Sequence, residues 1–150
     1  MGFVEKLTYV KNADEEMAAL AHLDTKHEAV AAERFKKQLG EGALGTGTVK
    51  LTSYAPNELH YDVESANGGL VVFSEIYYPG WTAKVDGQEV ELGRVNYVLR
   101  AMRMPAGKHK VVLEFRPKTV DVTNTIAYVA LVLILALFGL ALFVNLRKQK

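Results

Sequence analysis

Residues 77–81 place two tyrosines and the only tryptophan of the chain around a Pro-Gly turn, in the order Tyr77-Tyr78-Pro79-Gly80-Trp81. Aromatic rings at a loop can stack on the apolar faces of a sugar ring, while neighbouring amide or guanidinium groups bind the sugar hydroxyls. The next strands supply an asparagine and two arginines as polar partners. The predicted candidate glycan-binding residues are therefore Tyr77, Tyr78, Trp81, Asn96, Arg100 and Arg103.

A purely structural role is the alternative for several of these residues. Trp81, Ala83 and Val85 are every second residue of one predicted strand, so they share a face that would direct the Trp81 ring into the apolar core. This alternative is the favoured one for Trp81, whereas for Tyr77 and Tyr78 the two roles are balanced. Arg100 lies between apolar neighbours, where an ion pair with Asp or Glu would explain it.

The sequence contains no standard catalytic or metal-binding motif. It has no cysteine, which excludes thiolate zinc sites and cysteine nucleophiles. The histidines lack the spacing of metal ligands on one helix face, so they form a metal site only if the fold gathers them: His22, His27, His60 and His109. We therefore expect no catalytic residue, no metal and no cofactor in this chain.

Two carboxylate pairs and a glycine-rich segment are predicted to be solvent-exposed and without a functional role. The pairs Asp62/Glu64 and Glu89/Glu91 alternate with apolar residues beside lysines, which predicts solvated strand surface rather than the paired acids of a glycosidase. Residues 41–47 contain three glycines but lack the strand-to-helix context of a phosphate-binding loop. This segment is predicted to be a solvated linker.

The composition indicates a folded domain. The 150 residues are 49% apolar and 23% charged, with 12 glycines and 4 prolines, which excludes collagen-like and low-complexity sequences. The net charge is +1, and residues 1–146 are mildly acidic because three cations lie in the last four residues. This balance argues against a nucleic-acid-binding surface.

One apolar segment near the C-terminus predicts a transmembrane helix. Residues 126–144 contain no charged side chain. At about 1.5 Å per residue, such a helix crosses the roughly 30 Å hydrocarbon core of a bilayer. A buried core helix is disfavoured because it would usually keep a polar stripe. The cations at 147, 148 and 150 favour a cytoplasmic C-terminus.

The residues alone leave the location of the preceding domain open. The first thirty residues show no basic segment followed by an apolar one, as a signal peptide would. Export of a domain ahead of a C-terminal span requires an upstream export signal. The sequence is therefore either the last part of a longer protein with earlier spans or a tail-anchored protein with a cytosolic domain.

Apolar spacing predicts mainly strands after two short N-terminal helices. Residues 3–10 have strand spacing, and capping-box patterns at Asn12 and Thr25 predict helices over 12–23 and 25–39. From residue 48 the apolar period is two, and Asp86-Gly87 predicts a two-residue hairpin. Six or seven antiparallel strands predict a mainly β fold with minor α, a β-sandwich or jelly-roll-like domain, at residues 48–52, 59–64, 70–76, 81–85, 88–92, 96–104 and 109–116.

The segment from residue 73 to residue 117, FSEIYYPGWTAKVDGQEVELGRVNYVLRAMRMPAGKHKVVLEFRP, resembles the bacterial YfhO-type membrane proteins. The upstream segment FVEKLTYVKNADEEMAAL, residues 3–20, is similar to the part that precedes this module in the family. The resemblance covers most of residues 3–146. Residues 25–40 depart from it, since the family has a more strand-like segment where this chain is rich in helix formers, so the local fold of residues 25–47 stays open.

The resemblance implies a role in a larger membrane protein. Such proteins look polytopic and similar to GT-C-type glycosyltransferases, which use polyprenyl-phosphate sugars outside the cytoplasmic membrane in cell-envelope glycosylation. Their acidic catalytic residue lies in an early extracytoplasmic loop, and no residue here matches that loop. The resemblance therefore implies an accessory C-terminal module without catalytic residues. A polytopic parent would also supply the missing export signal.

The expected organisation follows from both arguments. Residues 1–118 form an extracytoplasmic sandwich, 119–125 a juxtamembrane linker, 126–146 the transmembrane helix and 147–150 a cytoplasmic basic tail. The expected location is the bacterial inner membrane, with residues 1–125 outside the cytoplasm. The expected partners are the bilayer, the membrane region of the parent protein and an envelope glycan or polyprenyl-phosphate sugar, without nucleic acid. The alternative is a non-enzymatic, tail-anchored binding or scaffold protein whose sandwich binds sugar or protein.

Overall fold

The computed structural model describes residues 1–42 and 44–148 and divides into two units, Met1–Phe115 and the chain from Arg116 onward. The described helices are α1 (Ala13–Leu20), α2 (Lys36–Leu39), which follows a 3₁₀ turn over Glu33–Phe35, and α3 (Lys118–Lys148). The described strands are β1 (Gly2–Val4), β2 (Lys6–Val10), β3 (Glu28–Ala32), β4 (Thr48–Ala55), β5 (Glu58–Ser65), β6 (Gly69–Ile76), β7 (Trp81–Val85), β8 (Gln88–Val90), β9 (Gly93–Val95), β10 (Leu99–Met104) and β11 (Gly107–Phe115).

Two antiparallel sheets form most of the first unit. The smaller sheet has the strand order β1-β6-β10-β9, and the larger has the order β4-β5-β11-β7-β8. Strands β2 and β3 form a separate parallel pair, with Lys6 opposite Glu28. The predicted mainly antiparallel β fold with a C-terminal helix is confirmed.

The main apolar core lies between the two sheets. Alternate residues of β5, namely Leu59, Tyr61 and Val63, face this core as the period-two pattern predicts. Phe73 from the smaller sheet meets Tyr61 in an edge-to-face contact with ring centroids 4.9 Å apart. Side chains from both sheets thus fill one layer, which is the architecture of a sandwich.

A second apolar cluster covers the outer face of the smaller sheet. Leu70 and Val72 of β6 pack there with Ala29 and Ala31 of β3 and with Leu39 of α2. Strand β6 is therefore covered on both faces, which explains its nearly continuous apolar sequence.

The N-terminal segment is split between these two layers. The single strand predicted for residues 3–10 is interrupted at Glu5, so that β1 joins the smaller sheet beside β6 while β2 pairs with β3. Phe3 contributes to the main core, and Leu7 and Tyr9 pack against the second cluster. The helix predicted after Asn12 is confirmed over Ala13–Leu20, with the Asn12 side chain accepting a hydrogen bond from the Glu15 amide at 2.9 Å.

The helix predicted over residues 25–39 is wrong. Asp24 rather than Thr25 organises the turn: its carboxylate accepts from the Lys26 amide and its carbonyl accepts from the amides of His27 and Glu28. The chain then forms β3, whose four residues Ala29–Ala32 are buried. Pairing with β2 and burial against the smaller sheet outweigh the helix propensity of these alanines. Within residues 25–39, only the 3₁₀ turn and α2 are helical, and Gly40 follows the last residue of α2 with a φ of 62°.

Two turns position the later strands. Asp86 and Gly87 both have positive φ, 50° and 86°, and connect β7 to β8 as the predicted two-residue hairpin. Residues 96–98 interrupt the strand that was predicted over 96–104, because Asn96 and Tyr97 have φ of 49° and 70°.

The second unit is one long helix. Helix α3 includes residues 119–125, which the sequence pattern assigned to a linker, and the predicted span of residues 126–146. By length and composition its part Val122–Lys148 is the one candidate membrane span among the described residues. Of the predicted basic tail, Arg147 and Lys148 lie in the helix, and residues 149–150 lie outside the described residues, as does residue 43 of the predicted loop.

Candidate functional site

A cavity of about 480 Å³ lies where the loop from β6 to β7 faces the β7–β8 hairpin and α2. The three aromatic residues predicted from the sequence, Tyr77, Tyr78 and Trp81, all line it. We call this cavity the aromatic pocket. Its polar lining includes Gln38 from α2 and the hairpin carboxylates Glu89 and Glu91.

Neighbouring rings hold the pocket aromatics in place. The Trp81 ring lies 5.4 Å from the ring of Phe115, its cross-strand neighbour, and the Tyr78 ring lies 6.3 Å from Phe115. Tyr77 makes an edge-to-face contact with Phe35, with centroids 5.5 Å apart. Tyr78 keeps 61% of its surface exposed. The loop thus presents rings that are supported on one side and open on another.

Arg100 supports Trp81 from within the sandwich. Its guanidinium carbon lies 3.9 Å from the centroid of the Trp81 ring, a cation–π contact. The side chain is almost fully buried, donates from Nε to the Ile76 carbonyl at 2.8 Å and pairs with Glu75 at 3.7 Å. Burial lowers the pKa of the guanidinium, and the nearby Glu75 carboxylate opposes that shift. Arg100 therefore occupies one face of the indole instead of lining the pocket.

The other two predicted polar partners lie away from the pocket. The Asn96 Oδ1 accepts a hydrogen bond from the Val30 amide at 2.9 Å, and the Asn96 amide donates to the Val30 carbonyl at 2.7 Å. Arg103 donates to the carbonyl oxygens of Leu39 and Gly40. Both residues thus join the smaller sheet to the layer above it, and the structure does not bring the six predicted residues together.

Gln38 is a pocket residue that the sequence did not single out. Its Oε1 atom is buried and has no hydrogen-bond partner among the described residues. An acceptor without a partner is costly. Because this oxygen has almost no accessible surface, a ligand hydroxyl would satisfy it only after the Gln38 side chain rotates toward the pocket. The sequence carries no signal for this role, because only the docking of α2 beside the hairpin brings Gln38 to the aromatic loop.

The buried pair Glu16–Arg94 is a second feature that spacing could not reveal. The Glu16 carboxylate is fully buried, pairs with Arg94 at 2.6 Å and accepts a hydrogen bond from the Tyr97 amide at 2.8 Å. The Arg94 guanidinium lies over the rings of Phe35 and Tyr97, at 5.4 Å and 5.1 Å. This cluster anchors α1 to the left-handed residues that precede β10.

Titratable groups with shifted pKa values also lie outside the pocket, among them His109, which pairs with Asp86, and the buried Tyr61. His109 Nδ1 lies 2.6 Å from Asp86 Oδ2, and the hydrogen bonds that the His109 ring donates to Asp86 and to the Ala106 carbonyl raise the pKa of His109. Burial, followed by the nearby Glu75 charge, raises the pKa of Tyr61 to about 12. Across residues 1–42 and 44–148, no group of three or more His, Cys, Asp or Glu side chains could hold a metal ion.

The paired carboxylates are surface residues, as predicted. Asp62, Glu64, Glu89 and Glu91 are all exposed. The glycines of residues 41–47 are more constrained than a solvated linker would require. A Cβ on Gly45 would overlap the Gly68 carbonyl oxygen, so this segment passes directly over the turn between β5 and β6.

Comparison with known proteins identifies the family. The family model described as bacterial membrane protein YfhO matches residues 25–127, more than half of the chain. No significant match is found among curated proteins or among solved structures. The matched segment contains the aromatic loop and every strand from β3 to β11. The chain, with its candidate membrane span, therefore belongs to the YfhO family of bacterial membrane proteins.

Proposed function

We propose that this chain is the C-terminal accessory part of a polytopic membrane protein that resembles GT-C-type glycosyltransferases acting in cell-envelope glycosylation. The sandwich lies outside the cytoplasm, and α3 crosses the inner membrane with Arg147 and Lys148 on the cytoplasmic side. The uncharged segment of residues 126–144 and the cations after it support this orientation. Catalysis belongs to the membrane region of the parent protein, and no residue of this chain takes part in it.

The aromatic pocket is the observation that carries the proposed role of the sandwich. Its volume of about 480 Å³ falls within the range of about 300–1,000 Å³ that is usual for small-molecule sites. Tyr78 and Trp81 offer ring faces for the apolar side of a sugar, and rotation of the Gln38 side chain would bring its unpaired acceptor to a hydroxyl. The pocket would hold an envelope glycan or a polyprenyl-phosphate sugar near the active site of the parent protein.

A binding titration tests this role. The full chain in lipid nanodiscs is titrated with envelope oligosaccharides while the fluorescence of Trp81, the only tryptophan, is followed. We expect a saturable change in Trp81 fluorescence. The oligosaccharide affinity obtained from it should fall at least several-fold in Gln38→Ala and in Tyr78→Ala. Tyr54→Ala is the matched control, because Tyr54 is exposed but lies outside the pocket. If no oligosaccharide in a broad panel changes the Trp81 fluorescence, the role of the sandwich is better explained by packing against the membrane region of the parent protein.

Cysteine labelling tests the orientation. Because the proposed export signal belongs to the polytopic parent, Lys108→Cys and Arg147→Cys are each introduced into that parent after its other cysteines are replaced. This chain itself contributes no cysteine. Lys108 is suitable because its side chain is 80% exposed. In intact cells, an impermeant maleimide should label the cysteine at position 108 and spare the one at 147. The reverse pattern would support the alternative, a tail-anchored binding or scaffold protein with a cytosolic sandwich.

A further inference from the structure

The two ends of the sandwich differ in polarity. One end contains the β4–β5 turn, the β6–β7 loop and the last residue of β11. Four of its large apolar side chains are exposed: Tyr54 by 70%, Ile76 by 66%, Tyr78 by 61% and Val98 by 44%. The half-buried rings of Trp81 and Phe115 lie beside them. We call these six residues the apolar end.

The opposite end is polar. It consists of the β5–β6 turn at residues 64–69, the hairpin at 86–87 and the turn at 105–108. Its side chains form exposed pairs, Lys108 with Glu64 at 3.3 Å and His109 with Asp86 at 2.6 Å. None of the exposed large apolar side chains of the described residues falls in these three segments.

Chain length ties the apolar end to the membrane. Phe115 is the last residue of β11, and the candidate span begins at Val122. Seven residue steps extend at most about 25 Å, whatever the arrangement of the two units. Lys108 lies seven steps before Phe115 on β11, so a strand rise of about 3.4 Å per residue puts it about 24 Å from Phe115. The apolar end is thus the end of the sandwich from which the chain continues into the candidate span.

We infer that the apolar end is a docking surface for the lipid headgroup region of the bilayer. Tyr and Trp side chains combine an apolar ring with a polar group, and both are favoured where membrane meets water. Tyr78 and Trp81 therefore lie at headgroup level, with Ile76 and Val98 on the same surface. Continuity with the membrane span selects lipid as the occupant of this surface. The inference does not rest on glycan binding by the aromatic pocket, although the two surfaces share Tyr78 and Trp81.

The single tryptophan makes the inference directly measurable. The full chain is reconstituted in phosphatidylcholine–phosphatidylglycerol vesicles that contain lipid with a spin-label quencher at the headgroup or deep in the acyl chain. We expect the headgroup label to quench Trp81 strongly in the absence of any glycan, and more than the deep label does. The control is Trp81→Phe combined with Lys108→Trp, which moves the only tryptophan to the polar end. We expect its quenching to be several-fold weaker.

A surface variant tests the side chains themselves. Ile76→Ser with Tyr78→Ser removes two exposed apolar groups, and we expect it to reduce the quenching of Trp81 at least several-fold while circular dichroism stays unchanged. Equal quenching of tryptophans at positions 81 and 108 would overturn the inference. So would blue-shifted Trp81 emission without lipid quenching, which would show a protein surface on this end. Should the double serine variant unfold, Val98→Ser, which removes another exposed apolar group of the apolar end, makes the same test of the side chains.

Discussion

The carboxylate of Glu16 sits at 0% exposure between a helix and a strand that are distant in sequence. It accepts hydrogen bonds from the Arg94 guanidinium and from the Tyr97 amide, whose residue has a φ of 70°. A charge in such a place is tolerated only because its partners replace water. The same contacts hold Tyr97 in a backbone conformation that a bulky residue rarely adopts.

Removing the Glu16 carboxylate should destabilise the sandwich strongly. Glu16→Ala leaves the guanidinium of Arg94, only 15% exposed, without its counter-ion, and breaking a buried pair in this way costs about 3–5 kcal/mol. The change is measured from the urea midpoint of Trp81 fluorescence in the full chain. Asp14→Ala on the exposed face of α1 is the control and should stay within about 0.5 kcal/mol of wild type. A Glu16→Ala midpoint equal to that of Asp14→Ala would contradict the assignment.

The pair His109–Asp86 should give the sandwich a defined pH dependence. The hydrogen bond between them raises the pKa of His109 and lowers the pKa of Asp86. The stability that His109 contributes is therefore present at low pH and lost as the pH rises through its folded-state pKa. The contribution of Asp86 is present at higher pH and lost as the pH falls through its own folded-state pKa. The pair stabilises the fold only between those two limits.

Titration by NMR checks this pair. The imidazole signals of His109 should titrate above the ordinary histidine value, and Asp86→Asn should bring the His109 pKa down. Glu64→Gln is the matched control, because Glu64 pairs with Lys108 instead. An unchanged His109 pKa in Asp86→Asn would show that the contact is not formed in solution.

At the scale of elements, the segment before β4 is fitted closely to its neighbour. Gly45 passes the β5–β6 turn so tightly that a Cβ would overlap the Gly68 carbonyl oxygen. A Cβ added at Gly42, in the same segment, would make only ordinary contacts, the nearest with a side-chain nitrogen of Arg103 at 3.7 Å. The glycines of one short loop therefore differ in what they are needed for.

Two alanine substitutions separate these roles. Gly45→Ala should cost about 1–3 kcal/mol, because backbone has to move to admit the methyl group. Gly42→Ala should change the free energy of unfolding by less than about 0.5 kcal/mol. Thermal unfolding of the full chain, followed by near-ultraviolet circular dichroism, compares the two. Similar unfolding temperatures for the two variants would mean that the loop moves to admit the methyl group and that the contact between Gly45 and Gly68 is not rigid.

The sequence pattern predicted those elements whose conformation is set by residues that are close together in the chain. Leu59, Tyr61 and Val63 point inward because a strand alternates its faces, and Asp86-Gly87 turns because both residues tolerate positive φ. The failure at residues 25–39 has the opposite origin. Ala29–Ala32 form a strand because β2 and the smaller sheet surround them, and neither neighbour is visible in the alanine-rich sequence itself.

The candidate site divides in the same way. Tyr77, Tyr78 and Trp81 share one loop, so adjacency in sequence was enough to group them. Asn96, Arg100 and Arg103 were added as polar neighbours, but each is directed by long-range packing to a different contact. Gln38 reaches the pocket from α2, which is separated from the aromatic loop by 37 residues, and no local pattern marks it.

At the scale of the whole molecule, the first strand pairs with a strand that lies about seventy residues later in the chain. Strand β1 pairs with β6, Phe3 opposite Val71, and Phe3 and Val4 contribute to the two apolar clusters. The segment matched by the family model starts only at residue 25. A chain shortened to that point would keep the aromatic loop but lose an edge strand and the carboxylate that neutralises Arg94.

Such a shortened chain, residues 25–150, should fail to form a protease-resistant sandwich, whereas removal of Met1 alone should leave resistance unchanged. Limited proteolysis of both in nanodiscs distinguishes the two results, and equal resistance would mean that β1 is dispensable. The sheet that contains matched strands β6, β9 and β10 also includes β1, which precedes the start of the match. Any attempt to excise, transplant or swap this module has to carry the N-terminal strand with it.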